Sequence, residues 1–228
     1  MTVTDVVLVH GLWSDGSSWS EVIPFLHDAG HRVTAVQLPL TSLADDVAAT
    51  QRVLERISGP VVLAGWSYGG TVITNVRVAA SHVAALVYVA AFAPDRGESS
   101  FQILQGFGAT VGEAVRPYED GLCGLDPDGY REVWAADVPA VRANVLAAVQ
   151  KPSALRCLEA SSGEPAWRSI RSWYQVAEED KALPPVAQRF MAERMGAVIT
   201  SVPSSHSSPV SHPQEVADLI TRVTVSTA

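Results

Sequence analysis

The segment of this chain best placed to do chemistry is Gly65-Trp66-Ser67-Tyr68-Gly69. A serine with glycines two residues before and two after can sit at the tip of a sharp turn, where neighbouring backbone approaches too closely for side chains. The β-branched run Val61-Val62-Leu63-Ala64 leads into it, and an apolar stretch from Gly70 to Val78 follows. The serine therefore falls between a strand and a helix, with its hydroxyl at the positive helix end. Nucleophilic attack is the chemistry such a serine offers. A serine hydroxyl is a weak nucleophile alone, so a base is required.

Six histidines could supply that base: His10, His27, His31, His82, His206 and His212. His27 and His31 flank a helix end and read as solvated. His82 precedes a strand, on the wrong side of a sheet. His206 and His212 both follow the last expected strand. His212 abuts Pro213 at the start of a helix, as a capping or surface residue does. His206 lies in the loop Ser204-Ser205-His206-Ser207-Ser208 and is the preferred base. A carboxylate must hold the imidazole tautomer and stabilise the imidazolium. Asp180 is preferred and Asp95 is the alternative; the chain order of serine, acid and histidine holds for either. Glu178 and Glu179 read as solvated. His10-Gly11 ends the first strand, and in the fold that presents its serine this way the next amide, Leu12, joins the Tyr68 amide in an oxyanion hole. The His10 side chain itself reads as a structural hydrogen-bonding group.

Positioning these residues calls for strands that end at one edge. Short apolar runs alternate with amphipathic stretches: Val6–Val9, Val33–Val36, Val61–Ala64, Leu86–Val89, Ser172–Val176 and Ala197–Thr200. They are apolar on both faces, which predicts a mostly parallel sheet of about six strands with helices on both sides. Helices are expected over Trp19–Ala29 with Gly30 as C-cap, over Leu43–Ile57 capped by Thr41 or Ser42, from Pro184-Pro185 to Arg194, and after Pro213. Asp45 and Asp46 at the start of the second helix read as solvated charges favoured by its dipole. From about Pro94 to Ala166 the alternation stops. Only Asp137–Val149 looks helical there, and the rest reads as loop or short helix in a small lid above the strand ends. One domain, 1–228, with a lid over about 94–166, is the expected organisation.

Composition narrows the classes. The chain has 228 residues, 47% hydrophobic and 18% charged, with a formal net charge of −8. That field repels a polyanion, and no run of Lys or Arg opposes it, which argues against nucleic acid as a partner. The longest nearly apolar run, Val83–Ala93, is too short to cross a bilayer as a helix. Met1-Thr2-Val3-Thr4-Asp5 has no basic signal region, so a cytoplasmic location is expected. Cys123 and Cys157, outside any CxxC or Cys/His spacing, read as buried reduced thiols, with a disulfide between them as the other option.

Together these residues resemble the α/β-hydrolase superfamily. The branch is that of plant methylesterases and hydroxynitrile lyases with their small bacterial esterase relatives, including pyrethroid-hydrolysing types. The resemblance spans nearly the whole chain. It is carried by Val9-His10-Gly11, Asp15-Gly16-Ser17-Ser18-Trp19, Leu43-Ala44-Asp45-Asp46-Val47, the serine turn, Val87-Tyr88-Val89-Ala90-Ala91-Phe92, and Ser205-His206 through Ser211-His212-Pro213. Glu179-Asp180-Lys181-Ala182-Leu183-Pro184-Pro185 resembles the family's acid loop and supports Asp180. Two departures stand out. Position 66 is Trp where similar sequences commonly have His, and Ser207 stands where the lyase branch has Lys, which argues against cyanohydrin cleavage.

The expected function is hydrolysis of a small or apolar carboxylic ester, lactone or thioester through an acyl-enzyme on Ser67. A lyase or dehydratase using the same three residues as acid and base is the first alternative, motivated by Trp66. A ligand-binding protein on the same fold is the second. Trp13, Trp66, Phe101, Phe107, Tyr118, Tyr130 and Trp134 are candidate pocket residues. Trp66 either fills core volume, narrows the pocket, or hydrogen-bonds a substrate group through its indole N–H. No motif implies a metal or organic cofactor, a small-molecule substrate is the expected partner, and a homodimer is compatible with the sequence.

Overall fold

The computed structural model describes residues 5–77, 82–109, 111–118 and 120–226. Each of the six apolar runs is a strand. In chain order the strands are β1 (Asp5–Val9), β2 (Arg32–Ala35), β3 (Val61–Trp66), β4 (Val83–Val89), β5 (Val115–Pro117), β6 (Leu122–Leu125), β7 (Ser153–Ala154), β8 (Ser172–Ala177) and β9 (Val198–Val202). The main sheet has the order β2-β1-β3-β4-β8-β9, with every neighbouring pair parallel. This is the α/β-hydrolase fold.

Parallel neighbours need a crossover, and helices supply it. The helices are α1 (Ile23–Asp28), α2 (Leu43–Leu54), α3 (Tyr68–Thr74), α4 (Ser100–Gly106), α5 (Val111–Ala114), α6 (Pro127–Trp134), α7 (Ala140–Ala148), α8 (Arg156–Glu159), α9 (Pro185–Arg194), α10 (Ser208–Ser211) and α11 (Pro213–Ser226). All six residues of β3 are buried, because helices cover both sheet faces. Burying a Val or Leu side chain there contributes about 1.5–3 kcal/mol. The edge strand β2, by contrast, is partly exposed and carries Arg32, paired with Asp5 of β1. Ser42 caps α2 by accepting from the Asp45 N–H at 3.1 Å.

The connection after β1 runs outward to β2, whereas the one after β3 runs the other way to β4. At such a reversal the loops beyond two adjacent strands part and leave a crevice at their carboxyl ends. Here the loop after β1 carries His10 to Leu12, and the turn after β3 carries Ser67.

Two expectations need correction. The helix expected over Trp19–Ala29 is split into a 3-10 turn at Gly16–Trp19 and α1. One continuous helix would put Pro24 in its interior, where its ring clashes with the preceding turn; starting at Ile23 moves Pro24 into the first turn. The region 94–166 also contains strands. β5, β6 and β7 form a small antiparallel sheet, too short to leave an alternating pattern in sequence. The helix expected over Asp137–Val149 is present as α7, and the one expected over Gly70–Val78 is α3, with Val78 outside the described residues.

Candidate active site

Ser67 is the single residue between β3 and α3, and its backbone lies at φ 55, ψ −128. A residue with a Cβ rarely adopts a positive φ, so the surroundings must impose it. The Ser67 N–H donates to the Val89 carbonyl at 3.2 Å and its carbonyl accepts from the Phe92 N–H at 3.1 Å. The flanking glycines permit the turn. A Cβ on Gly65 would come within 2.6 Å of the Gly69 backbone, and one on Gly69 would overlap the Val9 carbonyl.

Beyond β9, the loop of Ser204 to Ser207 turns His206 back over Ser67. Nε2 of His206 lies 2.7 Å from Ser67 Oγ, and Nδ1 lies 2.6 Å from Oδ2 of Asp180. A carboxylate only accepts, so Nδ1 carries the hydrogen and the Nε2 lone pair faces the serine hydroxyl. Asp180 is held in turn: Oδ1 accepts from the Ala182 and Leu183 amides, each at 2.8 Å, and Oδ2 accepts from Gln188 Nε2 at 2.8 Å. All three members of the chain are buried. Asp95, the alternative carboxylate, is nowhere near; it forms an ion pair with Arg168 at 2.7 Å. Burial works to raise its pKa, but the Arg168 hydrogen bond, the Arg96 amide and nearby guanidinium charges hold it below the usual carboxylate value. Glu178 and Glu179 are exposed, as expected.

Across the crevice, the Leu12 and Tyr68 backbone amides donate to no acceptor among the described residues. His10 fixes the loop that carries Leu12. Its Nδ1–H donates to the Gly11 carbonyl at 2.8 Å and its Nε2 accepts from the Leu38 N–H at 3.0 Å. Burial pushes the His10 pKa down to about 4, so the ring is neutral and serves as a strut.

The cleft over Ser67 has about 310 Å³ of empty space including its mouth. Its framework wall comes from Leu12, Trp13, Tyr68, Phe92, Ala182 and Leu183; the excursion between β4 and β8 adds Leu104, Val111, Trp134 and Leu158. Among the described residues that line it there is no Asp, Glu, Lys or Arg. Of the seven aromatic candidates, Trp13 and Trp134 line this cleft and the other five do not. Phe101 and Tyr118 are exposed, at 43% and 46%. Phe107 packs on Phe190 with ring centroids 5.2 Å apart, and Tyr130 packs behind Trp134. Trp66 also lies off the cleft. Its indole N–H donates to the His206 main-chain carbonyl at 2.7 Å, so it is not free to bond a substrate.

Two further readings are corrected by burial. Asp46 is fully buried: Oδ1 accepts from the Leu40 N–H at 2.7 Å and Oδ2 from the Tyr68 hydroxyl at 2.8 Å. Desolvation pushes its pKa up, against these donors. The bond also engages the Tyr68 hydroxyl. His31 is buried rather than solvated, at 7% exposure. Gln188 escaped sequence reasoning because a glutamine inside a helix normally faces water, and nothing in its spacing marks it.

Cys123 and Cys157 are free and buried, and desolvation pushes the Cys157 thiol up to about 12. Among the described residues no cluster of three or more His, Cys, Asp or Glu could hold a metal ion, and no helix is long and apolar enough to cross a membrane.

The model of the alpha/beta hydrolase family matches residues 6–219. The chain belongs to that family. Among its relatives, this hydrolase is 26% identical to methylesterase 1 of Arabidopsis thaliana, over 95% of this chain and 94% of that protein. It is 28% identical to a pyrethroid hydrolase of Sphingobium wenxiniae, over 96% of this chain and 87% of that protein. In fold, the hydrolase superposes on the crystal structure of polyneuridine aldehyde esterase with a TM-score of 0.84 at 20% identity, covering 98% of this chain and all of that one.

Proposed function

We propose that this hydrolase cleaves small, uncharged, apolar carboxylic esters through an acyl-enzyme on Ser67. The observation that carries the reading is the buried chain from Ser67 Oγ to His206 Nε2 at 2.7 Å and from His206 Nδ1 to Asp180 at 2.6 Å. Leu12 and Tyr68 line the same cleft, and their amides, which donate to no acceptor among the described residues, would hold the oxyanion. Ser67 Oγ attacks the ester carbonyl while its proton passes to His206 Nε2. The carbonyl electron pair moves onto oxygen, where the two amides would donate without reorganising. Collapse breaks the bond to the alcohol, whose oxygen takes the proton from His206. Water then repeats the sequence on the acyl-serine and releases the acid. Asp180 keeps Nδ1 protonated and stabilises the imidazolium that forms in each half.

The cleft favours uncharged substrates, because among the described residues its lining offers no Asp, Glu, Lys or Arg as counter-ion to a carboxylate or an ammonium group and burying an unpaired charge is costly. Elimination by the same three residues is less well supported. Ser207, at the position of the lyase branch's lysine, donates its hydroxyl to the Trp134 carbonyl at 2.7 Å and brings no cation to the cleft. Two reduced thiols suit the cytoplasm as the enzyme's location.

The test is turnover of p-nitrophenyl acetate and butyrate beside a p-nitrophenyl hemisuccinate of similar size. Hydrolysis of the neutral esters with discrimination against the charged one is expected. Absence of turnover in a protein whose Ser67 reacts with a fluorophosphonate would turn the assignment towards elimination.

A further inference from the structure

The two ring bonds of His206 orient the imidazole but do not anchor the main chain that carries it. The hydroxyls of Ser205 and Ser207 tie the neighbouring loop to the Trp134 carbonyl, and the bond to the carbonyl of His206 itself comes from Trp66. Its Nε1–H donates to the His206 carbonyl at 2.7 Å, across 140 residues of sequence. Trp66 directly precedes Ser67, so one two-residue unit holds both reacting groups: the serine through its own backbone and the histidine through the indole. The same indole stands beside the imidazole with centroids 5.6 Å apart. Trp134 meets the imidazole edge-on at 4.2 Å and Trp66 at 5.9 Å, so two indoles wall His206. Trp66 is 2% exposed and lines a second cavity with Tyr130 and Ser207, which shares the Trp13 wall with the substrate cleft but not Trp66 itself.

We propose that Trp66 is a positioning residue that fixes the distance between His206 and Ser67 through its indole N–H, without touching substrate. For its kinetic readout the inference rests on the esterase reading above. A displacement of about 1 Å in a reacting group can lower a rate on the order of 100-fold. A bond acting this way governs kcat and leaves KM alone.

Two substitutions separate the donor from the volume. Trp66→Phe keeps an aromatic ring and loses the donor. Trp66→His loses the benzo ring, but its Nε2–H occupies the same place relative to Cβ as the indole Nε1–H. The expected result is a kcat lowered roughly tenfold or more in Trp66→Phe, with KM within about twofold and the rate of Ser67 phosphonylation falling in parallel. Trp66→His should keep most of the kcat despite a lower melting temperature. Should Trp66→Phe fold poorly, Trp66→Met supplies a flexible apolar replacement that also lacks the donor. Equal kcat in the donor-lacking and donor-keeping variants, or losses that follow melting temperature alone, would overturn the proposal. A readout without turnover separates this from the esterase reading: the low-field proton resonance of His206 Nδ1–H. It should persist in wild type and Trp66→His and broaden or vanish in Trp66→Phe. Its survival unchanged in Trp66→Phe would sink the positioning role even if no ester were hydrolysed.

Discussion

Gln188 Nε2 donates to Oδ2 of Asp180 at 2.8 Å, and that same oxygen faces Nδ1 of His206 at 2.6 Å. A fully buried residue of α9 thus orients the carboxylate that orients the base. Its second amide hydrogen goes to the Leu183 carbonyl at 2.8 Å, and its Oε1 accepts from the Ala177 N–H at 3.0 Å. Gln188→Leu therefore leaves buried backbone groups unpaired as well as freeing Asp180. A stability loss of about 1–3 kcal/mol is expected from urea unfolding. On p-nitrophenyl butyrate, kcat should fall roughly tenfold. A folded Gln188→Leu with wild-type kcat would show that Asp180 needs no such support.

Asp180 and Asp95 should respond in opposite ways to amide substitution. Asp180→Asn removes the acceptor that fixes the His206 tautomer and should lower kcat by on the order of 10³-fold or more. Asp95→Asn breaks an external ion pair with Arg168, and exposed pairs are worth only about 0–1 kcal/mol, so activity should hold. The histidines divide likewise. His206→Ala should match the loss of the serine, whereas His212→Ala, which removes a half-buried contact with Asp137, should be mild. Steady-state kinetics of the four variants checks both contrasts, and an inactive Asp95→Asn or His212→Ala would contradict the assignment.

The side chain and the backbone of Tyr68 have separate tasks. Its amide donates to no acceptor among the described residues, and its hydroxyl donates to buried Asp46 at 2.8 Å. Tyr68→Phe keeps the amide and strips a donor from Asp46, so stability should fall by about 1–3 kcal/mol while kcat stays within about threefold. A large loss of kcat without destabilisation would mean that the hydroxyl reaches the substrate.

What the sequence revealed and concealed follows from how far each signal travels. The β-branched runs and the glycine-flanked Ser67 are local patterns, so the sheet and the serine turn were legible. His206 was legible as a residue just beyond the last strand, whereas position and chain order admitted both Asp180 and Asp95, and the resemblance of the acid loop favoured Asp180. Asp46 was misread because a carboxylate in the first turn of a helix has an adequate local explanation in the dipole; its partners Tyr68 and Leu40 come from other elements. The cleft was largely misassigned for the same reason. Conspicuous aromatics such as Phe101 and Tyr118 point outward, while Leu104, Val111, Leu158 and Leu183 converge only through tertiary packing.

Two buried histidines should make stability fall in mild acid. His10 is lowered by burial to about 4, against an ordinary value of 6.5. The unfolded chain therefore binds a proton over that interval that the folded chain refuses. Stability is full above about pH 6.5 and declines as pH falls towards about 4, by about 3 kcal/mol for this group. His31, neither of whose ring nitrogens has a hydrogen-bonding partner among the described residues, is also lowered by burial and acts in the same direction. Urea midpoints measured across that range should fall with pH, and His10→Gln should flatten the dependence. A profile unchanged by His10→Gln would show that His10 does not titrate as its burial requires.

Hydrolysis through an acyl-enzyme requires Ser67 Oγ as the attacking atom. Intact-mass analysis after exposure to a fluorophosphonate, followed by peptide mapping, tests this most directly. One adduct per chain is expected, on the peptide carrying Gly65 to Gly69, and none in Ser67→Ala, whose ester turnover should fall by on the order of 10³-fold or more. An adduct on another residue, or ester hydrolysis persisting at the wild-type rate in folded Ser67→Ala, would contradict it.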